Sequence, residues 1–150
     1  MIGVLQRVSD ARVDIEGETI GKIGKGLLVY IAFERDDTEH QADHLLRRLF
    51  EYRVFPDATG KMNLSLKGVL GSLLLVPQFT LAADTRTGTR PSFSPAAPPP
   101  QGRLLYEYMI NAARADYGNV ACGKFGTDMK VVSTNDGPVT FILRTAQDRQ

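Results

Sequence analysis

The stretch Thr134-Asn135-Asp136-Gly137-Pro138-Val139-Thr140 decides how the C-terminal part of this 150-residue chain folds. It lies within residues 129–143, which otherwise have the β-branched and apolar character of a strand. A glycine weakens the interior of a strand, and a proline cannot donate to the ladder of a sheet. An X-Pro bond is also one in which the cis isomer is accessible, about 0.5–1 kcal/mol above trans. The residues therefore leave two interpretations open: a surface turn between two strands, or a backbone device built into one region.

The rest of the chain alternates strand-like and helical segments. Strands are predicted at residues 2–8, 11–15, 19–23, 27–33, 72–76, 120–123, 129–134 and 139–144. Amphipathic helices are predicted from residue 37 or 38 to about 52 and from 104 to 117. This balance predicts an α+β fold, a single domain over residues 1–150 with a curved, mixed, barrel-like sheet and two main helices on one face. The polar tail, residues 145–150, is expected to fray.

Residues 83–102 are the least regular part of the sequence and are rich in proline. They also carry arginines, serines and the aromatic Phe93. A linker between two domains is one interpretation, but the flanking pieces are each too small to fold well alone. Long irregular loops in compact domains are usually functional or disordered. We therefore predict a functional surface loop.

Composition and charge favour a soluble cytoplasmic protein. The net charge is +1, so no overall basic field indicates non-specific binding to a polyanion, although a local patch could still hold one RNA end. The single cysteine, Cys122, cannot form an internal disulfide and fits a reducing compartment. No signal peptide is visible, and no apolar run approaches the ~20 residues that span a bilayer. We predict no membrane partner.

The familiar side-chain motifs of catalysis are missing. Both histidines, His40 and His44, fall on the first predicted helix, so no Ser-His-Asp arrangement is apparent and Cys122 has no evident base. The sequence contains no HExxH, CxxC, Walker or GxGxxG pattern and no acid-rich magnesium motif. We therefore predict neither a metal site nor a cofactor.

Candidate site residues remain where strands end. Gln78-Phe79-Thr80 follows a buried strand, and free backbone N–H groups at such a point can stabilise an oxyanion without a titrating side chain. The alternative is that Thr80 caps a loop and Phe79 belongs to the core. Phe125 and Met129 are likewise either core residues or an apolar bed for a nucleobase.

These segments resemble those of the D-aminoacyl-tRNA deacylases, the D-tyrosyl-tRNA deacylase family, over nearly the whole chain. Asn135-Asp136-Gly137-Pro138-Val139-Thr140 matches the family motif Asn-x-Gly-Pro-x-Thr, and Pro77-Gln78-Phe79-Thr80-Leu81 matches Ser-Gln-Phe-Thr-Leu except at Pro77. Residues 5–9, 24–29, 61–65, 90–94 and 125–131 also resemble family segments.

The resemblance implies a hydrolase that cleaves the ester joining a D-amino acid to the terminal adenosine of tRNA, a form of chiral proofreading. Glycyl-tRNA, including glycine mischarged on tRNA-Ala, is expected to be a further substrate. The resemblance also implies a homodimer in which each pocket is completed by the partner's Gly-Pro loop. A cis Gly137–Pro138 bond would form the chiral filter, which admits a D-substituent and clashes with an L side chain.

For catalysis, the resemblance assigns Gln78, Phe79 and Thr80. A threonine hydroxyl without a base is a poor nucleophile. We therefore expect backbone groups around Phe79 and Thr80 to bind the ester carbonyl, while the substrate's ribose 2′-hydroxyl helps to activate water. Gln78 and Thr80 would position the substrate. The effect of Pro77 in place of the family serine stays open.

For binding, the resemblance assigns Phe125, Met129, Asn135 and Thr140 to the adenosine at the acceptor end of the tRNA, and Arg7 to support of the Gly-Pro loop. Two other functions remain open on the residues themselves. One is a non-catalytic dimer that binds RNA ends or a small metabolite, and the other is a general esterase with a threonine nucleophile.

Overall fold

The computed structural model describes residues 1–146, and its centre is a six-stranded mixed sheet. The strands of this sheet are β1 (Ile2–Ile15), β2 (Glu18–Ile23), β3 (Gly26–Ala32), β6 (Ser72–Pro77), β7 (Val120–Cys122) and β8 (Lys130–Arg144). A separate ribbon joins β4 (Phe55–Pro56) to β5 (Met62–Leu64). The order β2-β1-β3-β6-β7 contains antiparallel pairs on one side and parallel pairs, β3 with β6 and β6 with β7, on the other.

The sheet curves until its two ends meet. A Cβ added to Gly21 of β2 would lie 2.9 Å from the carbonyl oxygen of Cys122 in β7. Only a residue without a side chain allows the two backbones to approach so closely. The predicted α+β class and barrel-like mixed sheet are therefore confirmed.

Strand β1 is continuous, whereas the sequence predicted two strands at 2–8 and 11–15. Ser9 and Asp10 are exposed polar residues, which made the segment look interrupted. The two halves of β1 pair with different strands, the first with β3 and the second with β2, while β8 runs along both. Ladder hydrogen bonds therefore carry the strand across its polar centre.

Two helices pack on the same core cluster. Helix α1 (Glu39–Glu51) buries Leu45, Leu49 and Phe50 at the predicted helical spacing. It begins after Thr38, whose backbone N–H donates to the Gln41 side chain at 2.9 Å, as the predicted cap requires. Helix α2 (Pro99–Asp116) adds its own apolar face, Leu105, Tyr106, Met109, Ile110 and Ala113, to the same cluster.

Helix α2 begins at Pro99, so the prediction of a start at 104 was wrong. The first helical position suits proline because its backbone N–H would have no partner there. Pro98 caps the helix, and the Gly102 N–H donates to the Pro98 carbonyl at 2.9 Å. The irregular segment therefore ends at Pro98. A bridge from Asp84 to Ser92 closes the segment on itself, and a bridge from Glu34 to Ala96 attaches it to the chain after β3.

Strand β8 runs through the Gly-Pro sequence without ending. The predictions of two separate strands and of a surface turn between them were therefore wrong. Val8 pairs with Asn135 and Gln6 pairs with Thr140, which leaves residues 136–139 opposite Arg7. We call residues 136–139 the excursion. It leaves the ladder and returns to it in the same strand, so it displays backbone at a fixed point of the sheet.

The described part of the chain ends shortly after β8. Thr145 is 7% exposed and its N–H donates to the Met1 carbonyl at 3.2 Å, so the start of the tail is packed and was wrongly predicted to fray. The rest of that prediction, at residues 147–150, lies outside the described residues. Between residues 1 and 146, no helix is both long enough and apolar enough to cross a bilayer.

Candidate functional site

A cavity of about 670 Å³ opens where strand β6 ends. Its size is in the range of pockets that bind small molecules. Four segments meet at its wall: the chain after β3 at Arg35, the end of β6 with the following helical turn, the end of the proline-rich loop, and the connection between β7 and β8. The lining residues include Pro77, Gln78, Phe79, Phe93, Phe125 and Met129.

The chain changes direction at Gln78. Its backbone N–H donates to the Ile31 carbonyl at 2.7 Å, which extends the pairing of β6 with β3 by one bond. The chain then forms a short 3-10 helix, Phe79–Ala82. The first N–H groups of such a helix, those of Phe79 and Thr80, have no acceptor within it. Two backbone donors are therefore available beside the cavity.

The side chains of Gln78 and Thr80 contact each other. Gln78 Nε2 donates to Thr80 Oγ1 at 2.5 Å, and within residues 1–146 the Thr80 hydroxyl makes no other hydrogen bond. Phe79 is 56% exposed, so it is not a core residue. His40 and His44 both lie on α1 and do not line the cavity. The geometry gives Thr80 a positioning partner but no base.

Aromatic rings form much of the cavity wall. Phe79 and Phe93 lie with their ring centroids 5.0 Å apart at one side. At the other side Phe125 is half-buried, 6.1 Å from Tyr106. Met129 is also half-buried and lines the same wall. The sequence predicts Phe93 in a functional loop but assigns it no role. The signal that could have found it is an aromatic residue among prolines and serines.

The wall rests on a rigid support. The Tyr106 hydroxyl lies 2.7 Å from the Gly123 carbonyl and 3.1 Å from the Leu75 carbonyl, and so links helix α2 to β6 and to the chain after β7. Burial raises the pKa of Tyr106 far above its ordinary value, so the phenol stays neutral and donates. Phe125 packs against this ring and is held in place by it.

The excursion lies elsewhere and is braced from β1. Gly137 has φ +140° and its bond to Pro138 is cis, as expected from the resemblance. Arg7 Nε donates to the Asp136 carbonyl at 2.9 Å, and Arg7 Nη1 donates to the Val54 carbonyl at 2.7 Å. The Arg7 side chain is only 13% exposed. The guanidinium therefore ties the excursion to the body of the protein.

The two residues at the base of the excursion bond across it. Asn135 Oδ1 accepts from the Val139 N–H at 2.8 Å, and Asn135 Nδ2 donates to Thr140 Oγ1 at 2.9 Å. Gln6 Nε2 donates to the same hydroxyl at 3.4 Å. Both ends of the excursion are therefore joined by side-chain hydrogen bonds.

The predicted site residues thus fall into two groups. Gln78, Phe79, Phe125 and Met129 line the cavity, and Thr80 is bonded to one of them. The second group, which contains Arg7, Asn135, Gly137, Pro138 and Thr140, surrounds the excursion, and in the described part of the chain none of its members lines the cavity. One chain therefore does not bring the two groups together.

Charges near the cavity are few. Residues 1–146 contain no group of three or more His, Cys, Asp or Glu side chains that could hold a metal ion. Hydrogen bonds from Arg86 lower the pKa of Asp84 to about 2, from an ordinary value of 3.8, on the loop that follows the 3-10 helix. Arg35 and Asp128 are the charged residues that line the cavity in residues 1–146, and the other lining side chains, which include Gln78, Phe79 and Met129, carry no charge.

Comparisons with known proteins identify one family over nearly the whole chain. The family model described as D-Tyr-tRNA(Tyr) deacylase matches residues 4–144. A D-aminoacyl-tRNA deacylase of Pseudomonas putida is 60% identical over 144 residues, which cover 96% of this chain and 99% of that protein.

Two solved structures share the fold. One, titled c-Myc DNA Unwinding Element Binding Protein, has a TM-score of 0.93 at 36% identity and covers 97% of this chain and 99% of that one. The other, titled as a probable eukaryotic D-amino acid tRNA deacylase, has a TM-score of 0.85 at 19% identity. It covers 95% of this chain and 97% of its own and supports the fold alone.

Proposed function

The chain belongs to the D-Tyr-tRNA(Tyr) deacylase family and is therefore a hydrolase, and we propose that it deacylates D-aminoacyl-tRNA in a homodimer with a chiral filter at Gly137–Pro138. The observation that carries the proposal is the separation, within one chain, of the cavity from the braced excursion. Two copies that exchanged excursions would each complete the other's cavity.

The unpaired edge of β8 supports a second copy as the partner. This 15-residue strand pairs only with β1 in the described part of the chain, and most of its residues are exposed. Val132 is 40%, Phe141 37% and Ile142 64% exposed. A long edge strand with apolar side chains is a template for pairing with another chain. A symmetric dimer over this edge would cover it and carry the excursion to the partner.

The filter would work by rejection. A backbone surface near the α-carbon of the bound amino acid leaves room on the D side and none on the L side. Because no side chain of the substrate is recognised, several D-amino acids are accepted. Glycine has no side chain to reject, so glycyl-tRNA, including glycine mischarged on tRNA-Ala, is a further substrate. This activity would serve translational proofreading in the cytoplasm.

In the cavity, the backbone N–H groups of Phe79 and Thr80 would hold the ester carbonyl oxygen. Water adds to the carbonyl carbon with help from the ribose 2′-hydroxyl. The ester bond then breaks, the 3′ oxygen takes a proton, and a free amino acid leaves. Gln78 holds the Thr80 hydroxyl and so orients this turn. Phe125 and Met129 provide the apolar wall on which the terminal adenine rests.

The direct test measures hydrolysis of D-tyrosyl-tRNA and of L-tyrosyl-tRNA by the full chain in the presence of a chelator. Release of tyrosine from the D-form only is the expected result. Binding of both forms without turnover would indicate an RNA-end binding protein instead. A general esterase with a threonine nucleophile would hydrolyse both forms. Thr80→Ala would then abolish the activity, whereas Gly137→Ala would not.

A mixed dimer tests whether the filter comes from the partner. One chain carries Ala97→Trp, which fills the cavity, and the other carries Gly137→Ala in the excursion. If the excursion acts on the partner's cavity, one site of the mixed dimer combines two intact parts, and D-specific hydrolysis returns. If cavity and filter belong to the same chain, the mixture shows no such recovery.

A further inference from the structure

We propose that Asn135 and Thr140 are positioning residues that set the strength of chiral discrimination by fixing the base of the excursion. The resemblance predicts that these residues contact adenosine. Their hydrogen bonds support the different role proposed here, which rests on the proposed function because it assumes that residues 136–139 act as the filter.

The first observation is that the hydrogen-bonding partners of these two side chains lie within the protein. Asn135 uses its carbonyl oxygen for the Val139 N–H at 2.8 Å and its amide for Thr140 Oγ1 at 2.9 Å. Thr140 Oγ1 also accepts from Gln6 Nε2 at 3.4 Å. The amide of Asn135 and the hydroxyl of Thr140 are thus engaged within the protein, and neither residue lines the cavity of its own chain.

The second observation is the register around the excursion. Asn135 and Thr140 are the last paired residues on either side of it, opposite Val8 and Gln6. Within the excursion the ladder is interrupted, so the Val139 N–H has no strand partner and takes the Asn135 side chain instead. The side-chain bonds replace the missing ladder and define how far the excursion projects.

The bracing is complementary to that of Arg7. The guanidinium holds the Asp136 carbonyl from the β1 side, whereas Asn135 holds the Val139 N–H from within β8. A filter that excludes L side chains by steric clash must be rigid, because a small displacement of residues 136–139 would relieve the clash. Two independent restraints on either side of Gly137 resist such a shift.

The experiment compares Thr140→Val, which keeps the shape and removes the hydroxyl, with Thr140→Ser, which keeps the hydroxyl. Thr134→Val is the matched control, because Thr134 lies on β8 two residues before the excursion and its side chain makes no hydrogen bond among residues 1–146. For each full-chain variant, kcat/KM is measured on D-tyrosyl-tRNA and on L-tyrosyl-tRNA. Amide hydrogen exchange of Val139 is measured alongside.

We expect Thr140→Val to lower the ratio of D to L hydrolysis by about tenfold and to speed exchange at Val139, as does Asn135→Leu. Thr140→Ser and Thr134→Val keep the wild-type ratio. An adenosine contact would instead raise KM equally for both substrates and leave the ratio intact, which overturns the inference. So does a wild-type ratio in Thr140→Val. If the wild-type protein itself fails to discriminate, the proposed filter is wrong and this inference falls with it.

Discussion

The cavity and the excursion are built in opposite ways, although both present backbone groups. The cavity lies at the ends of the parallel strands β3 and β6, and segments of one chain form its walls. The excursion interrupts an edge strand and is exposed. Arg7 donates a hydrogen bond to it, and Asn135 Oδ1 accepts one from its Val139 N–H. The contrast teaches that variants of the two regions should fail differently. Cavity variants should affect D and L substrates alike, whereas excursion variants should change the ratio between them.

Gly137→Ala should have the largest effect on that ratio. A Cβ at this position would lie 2.7 Å from Val139 Cγ2 and 3.1 Å from an Arg7 nitrogen, at a φ of +140° that L residues rarely adopt. The excursion must therefore move to accept the substitution. We expect discrimination between D-tyrosyl-tRNA and L-tyrosyl-tRNA to fall about tenfold to a hundredfold, measured as the ratio of kcat/KM values.

Gly88→Ala is the matched control for this prediction. Gly88 also has a positive φ, +69°, but nothing lies within 4 Å of an added Cβ, and it is not part of either region. It should leave the D to L ratio at the wild-type value. Equal loss of discrimination in both variants would mean that the effect arises from general strain rather than from the excursion.

Arg7→Leu should come next, with effects on both stability and selectivity. The change removes the donors to the Asp136 and Val54 carbonyls, and Val54 is 1% exposed, so its carbonyl is left without that partner. A buried polar group that loses its partner costs about 1–3 kcal/mol. We expect a loss of that size in the free energy of unfolding in urea, together with weaker discrimination.

Arg12→Leu on the same strand provides the comparison. Arg12 is 43% exposed and pairs with Asp14 at 3.0 Å, so it should contribute less than about 1 kcal/mol. If Arg12→Leu destabilises the protein as much as Arg7→Leu does, the bracing of the excursion has no special part in stability.

The sequence predicted the cavity better than the excursion, and the reason is local. Strand β6 is visible in the sequence as a run of apolar residues, and the run stops after Val76 at a polar end. The sequence therefore predicted correctly that Gln78 and Phe79 follow the end of a buried strand, where they line the cavity. Phe93 lies in a loop that the Glu34–Ala96 bridge attaches to the chain after β3, and a bridge between distant segments leaves no periodic pattern in a sequence.

The continuity of β1 and β8 could not be predicted because each strand supports the other. Ser9 and Asp10 interrupt the apolar pattern of one strand, and Gly137 and Pro138 interrupt that of the other. Only the pairing of the two shows that both interruptions are bridged by ladder bonds on either side. The start of α2 differs from the prediction for another reason: prolines are typical of loops, but the first helical turn also accepts them.

Tyr106→Phe should produce a smaller effect, confined to the cavity. The phenol of Tyr106 ties the Gly123 and Leu75 carbonyls together beneath Phe125. Loss of this buried hydrogen bond should cost about 1–2 kcal/mol of unfolding free energy and lower kcat/KM for D-tyrosyl-tRNA severalfold. The D to L ratio should stay at the wild-type value. Tyr108→Phe is the control. The Tyr108 hydroxyl donates to the exposed Asp43, so its loss should change neither the unfolding free energy nor kcat/KM measurably.

The smallest effect concerns pH, because Asp84, whose pKa is lowered to about 2, lies in neither region. Hydrogen bonds from Arg86 lower the pKa of Asp84 from 3.8 to about 2, so the stabilising contact is complete above pH 3.8 and is lost only as the pH falls through about 2. Asp84 therefore stays ionised from pH 5 to 8, and the D to L ratio should be the same at both ends of that window. An NMR titration should place the Asp84 midpoint near 2, and Arg86→Gln should return it toward 3.8. A wild-type midpoint near 3.8 would show that the Arg86 contact does not form in solution.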